Sequence, residues 1–396
     1  MLNSNKQNAF VFVVCGSSEH IETLLFSLKY LKKYTKNEII VLTDVSRNDL
    51  VIHHEHIVDI KTPIHFTHHQ ASIFLKTGIH NFLPKGKTYC YLDTDIVALS
   101  KEVDLIFNEY LAPITFAPDH CKLKSFSPYA VNCGCLEENQ AEILELTKVL
   151  KTYDLNQSLG ENEIQSQKEL IKLFNQKKQN KLPYLLVILR FALSRSIFKF
   201  ENYIFNKQEK TWYDSRTQKA VLFDFSRISK KVSAVSPFSW SGRKRMWVNV
   251  KNENVYTLEC NHLGDNIKNT FKIQVKKSNW QHWNGGVFLF NEKSSQFLDA
   301  WHKKSMEVID LKEWKTRDQG TLIATAWEFG LENHKVLDKK WNFIADYNKD
   351  GLDFSQEGLF TDDYWKTKYE VSFVHIYHHW GDETWDLWRW VQDIEL

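Results

Sequence analysis

Two carboxylates stand two residues apart in the run Tyr91-Leu92-Asp93-Thr94-Asp95-Ile96-Val97, directly after the apolar stretch Thr88–Leu92. Carboxylates at this spacing, just past a buried strand, can converge on one hard divalent cation. Mn²⁺ and Mg²⁺ prefer oxygen ligands and share them with phosphate oxygens. A cation held there would neutralise a diphosphate and so stabilise its departure. The plain alternative is a pair of solvated carboxylates ending a strand, because a lone Asp-x-Asp is a common string.

Three other groups of residues carry chemistry. Six histidines crowd residues 53–69, as HHEH and HFTHH. With no cysteine or paired carboxylate to complete a metal site, they read as loop residues flanking a strand. Six cysteines in 396 residues make no disulfide framework, and the compartment reads as reducing. Cys15 and Cys90 sit in apolar runs as buried thiols, and Cys133-x-Cys135 is too tight for a CxxC metal knuckle. Residues 177–200 carry Lys177, Lys178, Lys181, Arg190, Arg195 and Lys199 with no acid, around the apolar run Leu182–Leu189. That run is too short to span a bilayer. It reads either as a helix packed on its own lobe or as an interfacial helix on an anionic membrane.

The frame that must position these groups is legible in the hydrophobic pattern. Residues 9–15 (AFVFVVC) form a continuous β-branched and apolar run, the mark of a buried parallel strand. A helix follows Gly16-Ser17-Ser18, with Ile21, Leu24, Leu25, Leu28 and Leu31 on one stripe. EIIVLTD (38–44), a weaker strand near Ile57–Ile60, a helix over 70–83 stopped by Pro84, and TYCYL (88–92) continue the alternation. Such alternation predicts βαβ units with a mostly parallel sheet, whose ligands bind at the carboxyl ends of the strands. Gly16, Asp44 and the Asp93–Asp95 pair all fall at such ends. Strand and helix signals return in GGVFLF (285–290), 294–309, 318–329 and VSFVHIY (371–377). The expected organisation is a sheet core at 1–135, a largely helical insertion at 136–280 and a return to the core at 281–396. Lys plus Arg is 51 against 49 Asp plus Glu, so no global basic field points to nucleic acid. Phe10–Val14 is too short for a secretion signal or a membrane anchor.

Further motifs follow in order. Lys76 and Leu83-Pro84 precede YLDTDIV, and Leu99 and EVDLIF follow it. Then come Trp283-Asn284-Gly285-Gly286-Val287-Phe288-Leu289-Phe290-Asn291, Arg317-Asp318-Gln319, and the stretch from Leu337 to Trp341-Asn342. This ordered set resembles glycosyltransferase family 8 and its relatives, which have the GT-A fold. The resemblance covers residues 9–119 and 283–385. It implies that Asp93 and Asp95 hold Mn²⁺ or Mg²⁺, with Asp93 also near the ribose or sugar. Asn284 and Gly285 would meet the donor sugar, and Asp318 its hydroxyls. Gln319 would lie under the anomeric carbon, and Lys76 would contact the donor. Cys15, Gly16, Asp44 and Thr94 would complete the donor-binding set. Each has a simpler reading: Asn284 could cap a strand, Gly285-Gly286 could permit close packing, and Asp318 could be a helix cap.

The chain departs from the family at its C-terminal motif, His-x-x-Gly-x-x-Lys-Pro-Trp, whose His is the third metal ligand. Here the run is Val374-His375-Ile376-Tyr377-His378-His379-Trp380-Gly381-Asp382-Glu383-Thr384-Trp385. His378 keeps the spacing to Gly381, His375 sits better after the strand, and the Lys is absent in either register. Lys339 is a candidate to compensate. The resemblance implies a metal-dependent, retaining hexosyltransferase using UDP-glucose or UDP-galactose. The acceptor would be a glycan, lipid-linked or protein hydroxyl, and the location cytoplasmic, with peripheral membrane association through 177–200. Two rivals stand beside it. LDTDIV also fits a haloacid-dehalogenase-type phosphohydrolase with Asp93 as nucleophile, although that motif should follow a first strand. A GT-A-like binding protein without turnover is the other.

Overall fold

The computed structural model describes residues 7–153, 161–222, 226–244, 246–346, 352–354, 359–362 and 367–394. The chain divides into two compact units: Met1–Cys133 with Glu259–Leu396, and Gly134–Leu258. The chain returns to the first unit at Glu259 rather than near 281, and the cause is a helix described below.

The first unit opens with β1 (Asn8–Val13), α1 (Ser18–Tyr34), β2 (Glu38–Thr43), β3 (Ile57–Asp59), α2 (His68–Thr77), β4 (Thr88–Leu92), β5 (Ile96–Ala98), β6 (Thr115–Pro118) and α3 (Leu123–Ala130). β1 pairs in parallel with β2 and with β4, and β2 with β3. The continuous apolar runs are therefore buried on both faces. Val11 and Val13 face one core cluster, and Phe10, Phe12 and Val14 the other. That alternation follows from the period of two along a strand. Truncating the fully buried Phe10 or Phe12 to Ala should cost roughly 3–5 kcal/mol. α2 begins in a capping box between Thr67 and Gln70. It ends at Thr77, before Gly78, rather than running on to Pro84; a short 3₁₀ turn, Ile79–Asn81, follows.

The second unit contains α4 (Cys135–Lys151), α5 (Glu161–Gln179), α6 (Lys181–Leu193), β7 (Ile197–Phe200), β8 (Tyr203–Asn206), β9 (Thr211–Asp214), β10 (Ala220–Leu222), α7 (Ser226–Val235), β11 (Ser239–Ser241) and β12 (Met246–Val248). β7 to β10 form an antiparallel meander beside the helices, and β11 and β12 a hairpin. Pro183 lies in the first turn of α6, where a missing N–H costs nothing.

The first unit resumes with α8 (His262–Phe271), β13 (Trp283–Phe290), α9 (Ser295–Glu307), α10 (Arg317–Glu328), β14 (Phe343–Ile344), β15 (Leu352–Phe354), β16 (Leu359–Asp362), β17 (Thr367–Glu370), β18 (Phe373–His375) and α11 (Asp386–Asp393). α8 buries Leu263 and Ile267 in the main core, which is why the boundary falls before it. The central sheet has the order β3-β2-β1-β4-β13-β6, and β13 alone runs against its neighbours. This is an α/β fold with a mostly parallel central sheet. Tyr91 faces Phe288 across β4 and β13, and their rings stack at 4.7 Å. A small sheet, β14-β18-β5, lies just beyond the end of β4.

Candidate active site

The chain leaves β4 through Asp93-Thr94-Asp95 and enters β5 at Ile96, making a turn closed by Ile96 N–H to Asp93 O at 3.3 Å. Asp93 N–H donates to Gly286 O on β13 at 2.8 Å. β18 pairs with β5 so that His375 stands opposite Ile96, and Ile376 N–H donates to Asp95 O at 3.1 Å. Strand pairing alone therefore brings His375 to the two carboxylates. Ligand atoms of Asp93, Asp95 and His375 lie within 4.8 Å of one another.

A directional chain of hydrogen bonds fixes the imidazole. Asp119, at the end of β6, is buried. Burial pushes its carboxyl up, but donation from His120 and Asn284 and the charge of His282 hold it well below the usual range. As a carboxylate it can only accept, so Asn284 Nδ2 donates to it at 3.0 Å. Asn284 Oδ1 then accepts from Asn342 Nδ2 at 3.0 Å and from Gly286 N–H at 2.8 Å. Asn342 Oδ1 must in turn accept from His375 Nδ1, at 3.0 Å. His375 Nε2 is thereby aimed at Asp95 Oδ1, 3.3 Å away.

Lys76, on the last turn of α2, sits on the other side of Asp93. Its Nζ is 3.1 Å from Asp93 Oδ1 and 3.3 Å from Asp318 Oδ2. Burial alone would lower the lysine, but the two carboxylates outweigh it and keep it charged. Burial likewise pushes Asp318 up, and Lys76 reverses that shift. Tyr91 Oη donates to Asp93 Oδ1 at 2.5 Å. Asp318 and Gln319 stand in the first turn of α10. Gln319 Oε1 accepts from Gly285 N–H at 2.9 Å, and its Nε2 donates to Trp283 O. The side-chain amide is thus pinned along β13, with one lone pair of Oε1 left over.

The glycines are required by space. A Cβ on Gly286 would lie 2.8 Å from Asn284 Oδ1, 2.9 Å from His375 Cε1 and 3.1 Å from Asp93 Oδ2. One on Gly285 would come within 3.1 Å of Gln319 Oε1. Gly16, just past β1, has φ +106°, and a Cβ there would strike the His68 ring at 2.3 Å.

Cys15 is buried beside Gly16, and burial pushes its thiol up to about 11. Asp44 is buried with both oxygens engaged: Oδ1 accepts from Ser46 N–H at 3.2 Å and Ser46 Oγ at 2.5 Å, and Oδ2 from Thr62 N–H and Oγ1, both at 2.8 Å. Thr94 lies in the turn between the two aspartates and accepts at its carbonyl from Ser27 Oγ at 2.5 Å. His378 is exposed, three residues beyond His375, with its N–H donating to Asp346 Oδ1 at 3.1 Å. Lys339 opens a 3₁₀ turn that leads into Asn342. The sequence reading gave no role to Tyr91, Asp119, His282 or Asn342. Asn342 lay inside a quoted motif, and Asp119 is an acid at a strand end, a signal given weight at Asp44 and Asp93 but not there.

The arrangement fits a divalent cation. Asp95 Oδ1 is buried and pairs with His375 Nε2 at 3.3 Å. Its position opposite Nε2 and beside Asp93 leaves an acceptor-rich point that a cation would satisfy. Two carboxylates with one imidazole suit Mn²⁺ better than Mg²⁺, whose preference for oxygen is stricter.

The carboxylates and the imidazole are gathered at strand ends of a mostly parallel, Rossmann-like α/β fold, the place where ligands bind on such sheets. The chain is similar to the solved structure of the galactosyltransferase LgtC in complex with donor and acceptor sugar analogues, at 10% identity and TM-score 0.40 over 97% of this chain and 94% of that one. It is also similar to the apo WbbM bifunctional glycosyltransferase, at 9% identity and TM-score 0.38 over 95% of this chain and 46% of that one. A third is the apo glycosyltransferase GlyE of Streptococcus pneumoniae TIGR4, at 11% identity and TM-score 0.34 over 87% and 48%. The chain thus spans about half the length of the last two. No family model and no curated protein matches the chain.

Proposed function

We propose that the protein is a metal-dependent glycosyltransferase that moves a hexose from a nucleotide diphosphate sugar to an acceptor hydroxyl, with retention. The observation that carries this reading is the convergence of Asp93, Asp95 and His375 on one point at the strand ends. Asp93, Asp95 and His375 Nε2 would hold Mn²⁺, which when bound would draw charge from the departing diphosphate. The Asn342–Asn284–Asp119 chain keeps the imidazole oriented. Lys76 holds Asp93 and Asp318 in register and keeps a positive charge facing the donor. Gln319 Oε1, pinned by Gly285, offers its remaining lone pair to the face of the sugar where positive charge builds. With no second carboxylate assigned as a nucleophile, attack by the acceptor from the leaving-group side is the route this arrangement favours.

UDP-glucose and UDP-galactose are the donors of first choice on the sequence resemblance. The acceptor is a glycan, lipid-linked or protein hydroxyl. The first unit supplies the donor site, and residues 134–258 supply acceptor or membrane-surface contacts. The phosphohydrolase alternative is disfavoured, because the Asp-x-Asp follows the fourth strand and Asp93 is held by Lys76 and Tyr91.

Among the described residues, no helix is long and apolar enough to cross a membrane. α6 has no fully buried side chain: Val187 and Phe191 pack against its own unit, while Leu182, Leu185, Leu186, Ile188, Leu189 and Leu193 are exposed. With six basic residues in and around it, α6 is proposed as a peripheral contact to the cytoplasmic face of an anionic membrane. The functional test is a panel of nucleotide sugars with and without Mn²⁺, scored by hydrolysis and thermal shift. Metal-dependent release of UDP from one hexose donor is expected. Release of phosphate from an aryl phosphate, with no response to any nucleotide sugar, would overturn the reading.

A further inference from the structure

A second group of metal-binding side chains lies in the first unit, apart from the aspartates. Cys133 follows α3, and Cys260 and His262 stand where α8 begins. Their ligand atoms lie within 4.8 Å of one another. The two thiols are 4.0 Å apart. Two thiolates on one tetrahedral zinc, each at about 2.3 Å, stand about 3.8 Å apart. A disulfide instead needs about 2.05 Å.

The backbone around the thiols is fixed. Cys133 N–H donates to Val131 O at 3.1 Å, and Val131 is bridged to Trp314. Cys260 N–H donates to Lys124 O at 3.0 Å, and Ser127 Oγ lies 3.1 Å from Cys260 Sγ. Ser127 Oγ also accepts from Leu263 N–H at 2.9 Å, which ties α3 to the start of α8. The thiols are partly buried and the imidazole is exposed, so an ion can enter. Cys135 follows Cys133 in a C-x-C spacing. The spacing alone looked too tight for a metal knuckle. What changes that reading is the arrival of Cys260-x-His262 from 127 residues further along the chain.

We propose that Cys133, Cys260 and His262 form a zinc site distinct from the carboxylate site. The two donor sets differ in softness. Thiolates and imidazole select Zn²⁺, whereas the Asp93–Asp95–His375 set is hard and selects Mn²⁺ or Mg²⁺. Zinc binding displaces the thiol protons, and the ion ties the start of α8 to the end of α3.

The test uses the full chain, purified under reducing conditions, supplied with zinc and dialysed against metal-free buffer. Zinc is measured per chain by plasma emission, and cobalt replacement is followed by absorption. About one tightly held zinc per chain is expected, with thiolate-to-cobalt charge-transfer bands in the cobalt form. Cys260→Ser should lose the ion, and so should His262→Gln, an exposed position whose replacement spares folding, checked by circular dichroism. Asp95→Asn should keep it. A native protein that takes up no zinc, a Cys133–Cys260 disulfide in place of the ion, or a zinc that survives both Cys260→Ser and His262→Gln would overturn the proposal.

Discussion

The Nδ1 atom of His375 meets Oδ1 of Asn342 at 3.0 Å, and this pairing determines which imidazole nitrogen is left for a ligand. Asn342 spends its own donor on Asn284, so its oxygen can only accept. Nδ1 must carry a hydrogen, and Nε2 faces Asp95. Partners of this kind orient a metal-bound histidine and are nearly as important as the ligands themselves.

Asn342→Ala should therefore lower Mn²⁺ affinity by roughly 10- to 100-fold while leaving Asp93, Asp95 and His375 in the chain. Titration calorimetry with Mn²⁺ measures this. An unchanged affinity would show that the hydrogen-bonded chain is only structural. In the same assay His375→Ala should abolish binding and His378→Ala should not; equal, small effects would remove both from the site.

Gln319 touches β13 through both ends of its amide, yet keeps one lone pair for substrate. Gln319→Ala should reduce kcat by roughly 10²-fold with little change in donor KM, the pattern of an interaction made in the transition state. A raised KM at constant kcat would assign it to ground-state binding.

Asp44 supplies a pH prediction for stability. Burial pushes its carboxyl up, but Ser46, Thr62 and Lys61 outweigh burial and hold it far below the usual carboxylate range. A depressed group stabilises the fold above its unfolded pKa, and that stability is lost as pH falls below about 3.9. Asp44→Asn should cost about 1–3 kcal/mol at neutral pH, and the difference from the native protein should shrink towards pH 3. Thermal melts across that range check the sign. A gap that widens in acid would contradict it.

The hydrophobic pattern made the sheet legible because parallel strands buried on both faces read as unbroken apolar runs. β1, β2 and β4 announce themselves, and with them the places of Gly16, Asp44 and Asp93. What the sequence does not show is pairing at long range. The register of β18 on β5 sets His375 opposite Ile96 and so beside Asp95, a relation between residues about 280 positions apart. Asn342 and Asp119 were missed for the same reason, since their roles exist only through Asn284. The sequence predicts a helix over 70–83 stopped by Pro84, but α2 ends at Thr77 because Gly78 caps it and a 3₁₀ turn follows.

The exposed apolar face of α6 should bind anionic vesicles and release them as salt rises, each cation near the surface contributing about 1 kcal/mol. Replacing Lys177, Lys178, Lys181, Arg190, Arg195 and Lys199 by Gln should remove sedimentation with anionic liposomes but leave hydrolysis of free donor unchanged. No sedimentation of the native protein with either anionic or neutral liposomes would return α6 to a contact within its own unit or with a soluble acceptor.

The central claim is that Asp93, Asp95 and His375 hold a cation that in turn holds a nucleoside diphosphate. It is tested most directly by calorimetric titration of UDP into the native protein and into Asp95→Asn, each with and without Mn²⁺. The native protein should bind UDP tightly only when Mn²⁺ is present, and the variant should bind it weakly in both conditions while melting as a folded protein. UDP binding that ignores Mn²⁺ in the native protein, or that survives Asp95→Asn at native affinity, would contradict the account.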